Sequence, residues 1–177
     1  MKIKSSCYYF LLGCLLIFIL CPIFSVSYAT PRIAVLAFEL NDVSALPNTP
    51  EEIIRTASIK PLLDKALIRY GDTNLIQIDT KIQNAANSSF GNLFNFPEEA
   101  VKLGKRYRAD WLIVSQHSKP SFLFSYLVAQ VININTAKPT VKFTIELKGS
   151  HAKVLQHGVN TLAKKIHEII NTPSTTE

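Results

Sequence analysis

PEEAVKLGKRYRADWLIVSQ, residues 97–116, places a helix and a strand end to end. Pro97, Glu98 and Glu99 stand where a first helical turn favours negative charge. Lys102, Lys105, Arg106 and Arg108 stand where the last turn favours cations, so both ends suit a helix macrodipole. Residues 110–116 follow directly as a strand, and a helix feeding a strand is the signature of an α/β layer fold.

Upstream, residues 32–40 (RIAVLAFEL) are apolar on both faces, as a central strand covered on two sides would be. Thr49, Pro50, Glu51 and Glu52 mark a helix start with a cap, a proline in the first turn and a glutamate at the capping-box position. The helix runs toward Tyr70 and Gly71, and Pro61 inside it predicts a kink or a restart. Residues 75–78 read as a short strand, and residues 84–95 as a polar loop.

Downstream, residues 121–134 and 141–148 predict a β-hairpin. Val141, Phe143, Ile145 and Leu147 alternate with Lys142, Thr144, Glu146 and Lys148, which gives one buried and one wet face. Ala152, Leu155, Val159, Leu162, Ile166 and Ile169 recur at three- and four-residue steps, an amphipathic helix with its stripe on the sheet. The expected order is β-α-β-α-β-β-β-α, about five strands in a mixed α/β sheet: parallel core strands, an antiparallel edge hairpin and helices packed on the sheet. Residues 30–171 read as a single domain and residues 172–177 as a frayed tail.

The chain has 177 residues, 47% hydrophobic, with a formal charge of +6, but these totals mix two objects. Residues 1–29 hold 21 of the hydrophobic residues and all three cysteines, Cys7, Cys14 and Cys21. The remaining 148 residues are about 43% apolar, carry a net charge of +4 and contain no cysteine. A disulfide framework and a cysteine metal site are thereby excluded from that part. Lys2 and Lys4, the apolar run 8–21, Pro22, and the small residues Ser27 and Ala29 form a secretory signal peptide cleaved after Ala29. A retained N-terminal anchor is the alternative. Lipidation at Cys21 is disfavoured by the bulky Ile19 and Leu20 before it.

No phosphate-binding glycine loop, metal-ligand spacing or nucleophile elbow occurs. Ser115 and His117 share a face of a strand without the geometry a nucleophile and its base require. With Lys119, and with residues 38–48 beside them, they mark a candidate ligand cleft at the ends of the parallel strands. Glu51, Glu52, Glu98 and Glu99 are explained by their helix starts, and His157 by solvent exposure. Two features stand out as candidate contacts for a partner or a membrane. One is the basic run Lys102, Lys105, Arg106 and Arg108, suited to an acidic partner or anionic lipid head groups. The other is the loop bearing Phe90, Leu93, Phe94 and Phe96, which either tucks over the sheet edge or forms an exposed recognition loop.

Residues 107–121 (YRADWLIVSQHSKPS), 135–139 (NTAKP) and 158–162 (GVNTL) carry a resemblance. With the opening strand at residues 32–40, they resemble a bacterial family of predicted secreted proteins known only as a domain of unknown function. That family has an "lgaDwvvvGqvsKvSnl" stretch, a hairpin ending in "tgkpv" and a glycine-bearing C-terminal helix. It is similar in turn to the N-terminal domain of the translocation protein TolB and to the curli secretion subunit CsgG. The resemblance implies a Gram-negative cell-envelope protein. Members carry a cysteine pair that residues 92–97 lack here, so no redox role transfers; Ser115 replaces a usual glycine; and the family assigns no catalytic residue.

The expectation is a non-enzymatic periplasmic or envelope protein, an accessory or assembly factor that binds an envelope protein, with the hairpin offering an edge strand. No cofactor is expected, and export disfavours nucleic acid. The alternatives are a periplasmic small-ligand-binding protein and, third, an enzyme. The oligomeric state is left open.

Overall fold

The computed structural model describes residues 30–71 and 73–172. The signal peptide, its cleavage point and the tail beyond Thr172 lie outside the described residues. The elements are β1 (Arg32–Val35), β2 (Glu39–Asp42), α1 (Pro50–Ile68), β3 (Asn74–Ile76), α2 (Thr80–Ala86), α3 (Asn92–Asn95), α4 (Pro97–Arg106), β4 (Trp111–Lys119), β5 (Phe124–Asn133), β6 (Lys138–Lys148) and α5 (Ala152–Asn171).

The strands form one mixed sheet in the order β3-β1-β4-β5-β6, with β2 paired to β4 as well. β1 is parallel to β3 and β4, β2 is parallel to β4, and β4, β5 and β6 are antiparallel neighbours. The mixed α/β architecture expected from the sequence is therefore the one observed.

Residues 32–40 do not form one strand. β1 and β2 line up along the same edge of β4 and are separated by Leu36, Ala37 and Phe38. The break is closed from a distance: Gln83 Oε1 accepts from the Ala37 amide at 2.8 Å, and Gln83 Nε2 donates to the Ala37 carbonyl at 2.9 Å. An amide side chain here replaces a strand neighbour, which satisfies the backbone groups that the interruption frees.

α1 passes through Pro61 as one helical element. The ring removes the amide that would bond the Ala57 carbonyl, but Pro61 and Ala57 both lie on the solvent side, where water can serve that carbonyl. The segment expected to be a polar loop contains the end of α2 and all of α3. Asp79 caps α2 by accepting from the Lys81 amide, and Gly91, with φ +72°, precedes α3. α4 stops at Arg106, and Arg108 turns the chain with φ +53°.

Each face of the sheet has its own core. α1 and α5 cover Ile33, Val35, Ile113, Leu127, Val131 and Leu147 with Ile59, Leu63, Leu155, Val159, Leu162 and Ile166. On the other face, α2, α3 and α4 cover Ala34, Leu36, Leu112, Val114 and Ile132, using Leu93, Phe94, Ala100, Val101 and Leu103. The α5 stripe is shorter than its periodicity suggested, because Ala152 is exposed and Ile169 half-buried.

Candidate functional site

The ends of β2 and β4 meet the first two turns of α1 at one pole of the sheet, with Asp42 beside Lys119 and Leu40 beside His117. On the face under α1, β4 presents Ile113, Ser115, His117 and Lys119 in steps of two, so the column passes from hydrocarbon to hydroxyl, imidazole and ammonium. α1 answers with Leu63, Ile59, Thr56 and Glu52, all buried. Four helical residues rise about 6 Å and two strand residues about 6.7 Å, so the two ladders keep step over this distance.

Thr56 Oγ1 lies 2.8 Å from His117 Nδ1, and Ser125 Oγ lies 2.9 Å from His117 Nε2. A neutral imidazole has one donor and one acceptor nitrogen, and two hydroxyls can complement either tautomer. Burial holds the His117 pKa down to about 4, aided by the positive charge of Arg55 and of Lys119 and opposed by Glu52 and Asp42. His117 is thus neutral at pH 7.

Lys119 Nζ stands 3.5 Å from both Asp42 Oδ2 and Glu52 Oε1, and 5.4 Å from the centre of the Phe122 ring. Glu52 Oε2 also pairs with Arg55 Nη1 at 3.4 Å, while Arg55 Nη2 donates to the Gly149 carbonyl at 3.1 Å. Two cations and two carboxylates balance in a largely buried cluster, as buried charge requires. Asp42 also shapes the loop after β2, accepting from the Ser44 hydroxyl at 2.6 Å, the Ser44 amide at 3.1 Å and the Asn48 amide at 3.0 Å. Burial works against its ionisation, but the hydrogen bonds from Ser44 and Asn48, together with Lys119, outweigh it and hold the carboxyl below its usual range.

A serine hydroxyl on an imidazole is the contact a nucleophile and base would make, yet Ser125 and His117 are sealed from solvent and the second ring nitrogen meets Thr56 instead of a carboxylate. The arrangement braces loops and does not present a reactive oxygen. What it braces is apolar and exposed. Val43 (69% exposed) follows Asp42 and bonds through its amide to the Lys119 carbonyl; Leu46 (65%) tips the same loop; Phe122 (57%) and Leu123 (75%) tip the turn after β4.

The three sequence-marked cleft residues are therefore gathered in one column but buried. Ser115 Oγ has no hydrogen-bond partner. A neighbouring open groove of about 510 Å³ between β2 and α1 is lined instead by Phe38, Leu40, Ile53, Thr56, Lys60 and Pro61, among others. The aromatic loop divides: Leu93 and Phe94 are core residues, and Phe90 and Phe96 face solvent. Lys105, Arg106 and Arg108 are exposed, and Lys102 pairs with Glu99 at 2.6 Å within α4.

Arg55, Thr56 and Ser125 carry no mark in the sequence, Asp42 falls only within the wider stretch 38–48, and Glu52 reads there as a capping residue. One signal was available, since residues 52, 56, 59 and 63 form a helical stripe whose first two members are polar. Glu52 had a local explanation as a capping residue; its carboxylate turns inward to Lys119 and Arg55 instead.

Residues 31–166 match a family model, DUF3280, described as "Protein of unknown function (DUF2380)". The chain belongs to this DUF2380 family. No curated protein sequence matches this DUF2380 chain. Among solved structures it is similar to the LpoB C-terminal domain from Salmonella enterica, at 14% identity and a TM-score of 0.46, covering 70% of this chain and 87% of that one. It is similar to TolB from Acinetobacter baumannii at 11% and 0.46, covering 80% of this chain and 28% of TolB. It is also similar to lipoprotein GNA1162 from Neisseria meningitidis at 14% and 0.45, covering 81% and 99%. None of these likenesses assigns a role to a residue here. Among the described residues, no helix is long and apolar enough to cross a membrane.

Proposed function

We propose that this DUF2380 protein is an exported, non-enzymatic envelope protein that acts as an accessory or assembly factor by docking a protein partner. The observation that carries the reading is the apolar pole formed by Val43, Leu46, Phe122 and Leu123, mounted on a buried ionic and hydroxyl network. Exposed apolar tips cost solubility, and a rigid base beneath them lowers the entropy lost on docking. Export follows from the leader read in the sequence, with cleavage after Ala29 and release to the periplasm. The motif likeness to CsgG belongs to the same envelope reading. The aromatics Phe90 and Phe96 and the cations Lys105, Arg106 and Arg108 remain candidates for a secondary contact with a partner or with anionic lipid.

The test is site-directed photocrosslinking in living cells, with the crosslinker at position 46 or 123 and at Lys164, on the exposed face of α5, as the control. One discrete protein adduct from positions 46 and 123, absent from 164, is expected. Identical patterns at all three positions, or no adduct at any, would remove the reading.

One observation favours a second reading, a small-ligand-binding protein. The groove between β2 and α1 is of ligand size and combines the apolar Phe38, Leu40 and Ile53 with the polar Thr56 and Lys60. A thermal-shift screen with periplasmic metabolites separates the two, because a ligand of the folded state raises the melting temperature by mass action. Loss of that shift in Leu40→Trp would place the ligand in this groove.

A further inference from the structure

β6 is an edge strand of eleven residues, and among the described residues no strand pairs with its outer side. The Gly149 amide donates to the Leu123 carbonyl, one pair beyond the end of the β5–β6 ladder. By strand alternation, the backbone groups of Leu147, Ile145 and Phe143 also point to β5, and those of Lys142, Thr144, Glu146 and Lys148 point outward. From Val141 to Lys148 this edge is regular, whereas the bulge at Thr140 and the imino nitrogen of Pro139 interrupt the part before it.

Its charges restrict what can pair with it. Lys142, Glu146 and Lys148 project from the exposed face, and the only ion pair among them is a loose contact at 3.8 Å between Lys148 and Glu146. Consider a second copy of the same strand approaching antiparallel. With the two-fold axis at Thr144, Lys142 of each copy stands directly opposite Glu146 of the other, twice over. The outward-pointing backbone groups of the two strands then meet as hydrogen-bonded pairs. An axis at Lys142 sets lysine against lysine, one at Glu146 sets glutamate against glutamate, and one at Ile145 sets Lys142 against Lys148. An axis at Phe143 brings no opposite charges together. Like charges directly opposite across strands destabilise, and opposite ones stabilise. An axis at Leu147 also sets Glu146 against Lys148 but overlaps only residues 146–148, and the axis at Lys142 reaches a further lysine only beyond the bulge; the Thr144 register is the one that joins opposite charges within the regular stretch.

The other face of β6 agrees with this register. The core under α5 ends at the edge with Val141 and Phe143 only half-buried, and Phe143 is covered from outside by Lys165 Nζ at 5.6 Å from its ring centre. The Thr144-centred register sets Phe143 opposite Ile145 and Val141 opposite Leu147 of the second copy, which extends the apolar layer across the junction.

We infer that β6 pairs antiparallel with β6 of a second copy about a two-fold axis at Thr144, joining two sheets through reciprocal Lys142–Glu146 pairs. The edge strand is then a self-recognition surface, separate from the apolar pole assigned to the partner. Sedimentation velocity of the purified full chain tests this against three variants, Lys142→Glu, Glu146→Lys and the double exchange. Glu146 is exposed, and Lys142 is exposed apart from its ammonium 5.2 Å from the Phe94 ring centre, so each variant is expected to retain the wild-type circular dichroism spectrum, which is recorded alongside. The wild type sediments as a dimer. Each single variant weakens dimerisation about tenfold or more by converting two opposite-charge pairs into like-charge pairs. The double exchange restores the dimer. A wild type that stays monomeric, single variants that dimerise as the wild type does, or a double variant that remains as weak as the singles would each overturn the assignment.

Discussion

Thr56 and His117 are joined through Oγ1 and Nδ1 at 2.8 Å, which ties the second turn of α1 to the strand beneath it through a side chain that is neutral at pH 7. The two hydroxyls could accept from either ring N–H, so what keeps the ring neutral is burial first and then the charges of Arg55 and Lys119, against the smaller opposing pull of Glu52 and Asp42.

The consequence is a stability that depends on pH in a defined window. The His117 pKa is depressed from 6.5 to about 4 by burial first and by Arg55 second. The folded state binds fewer protons than the unfolded state between these values, so the stabilisation is complete above pH 6.5 and is lost as pH falls toward 4. A shift of this size corresponds to about 3 kcal/mol. Urea unfolding at pH 7.5, 5.5 and 4.5 should show the decline, and His117→Gln should flatten it while lowering stability at pH 7.5 by about 1–3 kcal/mol through the lost hydrogen bonds. An unchanged slope in His117→Gln would assign the decline to other groups.

Lys119 separates two buried carboxylates, Asp42 and Glu52, at 3.5 Å each. Lys119→Met removes the cation common to both and should destabilise the protein by about 3–5 kcal/mol. Much of that loss should return in Lys119→Met/Glu52→Gln, since one stranded charge is then gone. Chemical denaturation of the four proteins in this double-mutant cycle gives a coupling energy, and additive losses would mean that Lys119 and Glu52 do not act as a pair.

What could be read from sequence follows the range of the interaction responsible. The alternation of Val141 to Lys148 and the charge polarity of α4 are local patterns, and the structure follows them. The interruption at Ala37 is different, because Leu36 and Phe38 continue the apolar run and the residue that stabilises the break is Gln83, 46 positions away. α2 and α3 were hidden by polar composition, being short helices held by Asp79 and by burial of Leu93 and Phe94. Ser115, His117 and Lys119 are legible as one strand face near the ends of the parallel strands, but what they do depends on Glu52 and Thr56. Those two residues are brought over them only by the docking of α1.

Gln83 gives this non-local effect a direct measure. Gln83→Ala leaves the amide and carbonyl of Ala37 without their side-chain partners and should cost about 2 kcal/mol in thermal or urea unfolding. Gln83→Glu keeps the acceptor for the Ala37 amide but sets a carboxylate oxygen against the Ala37 carbonyl, so it should not recover the loss. Full recovery in Gln83→Glu would mean that only the amide contact matters.

Gly158 allows α5 to lie close against β6, since a Cβ there would clash with Leu147 Cδ2. Leu147 is fully buried under α5, so any shift of its side chain falls on its core neighbours. Gly158→Ala gains about 1 kcal/mol of helix propensity but overpacks this contact, typically at a cost of about 1–3 kcal/mol, and should lower stability in the wild-type background. Leu147→Ala alone opens a cavity and should cost about 2–5 kcal/mol. In that background Gly158→Ala meets no obstruction, keeps its propensity gain and fills part of the void, so its effect should change sign to stabilising by about 1 kcal/mol. Thermal unfolding of the four proteins decides the point: if Gly158→Ala destabilises both backgrounds equally, close packing against Leu147 is not the reason glycine stands there.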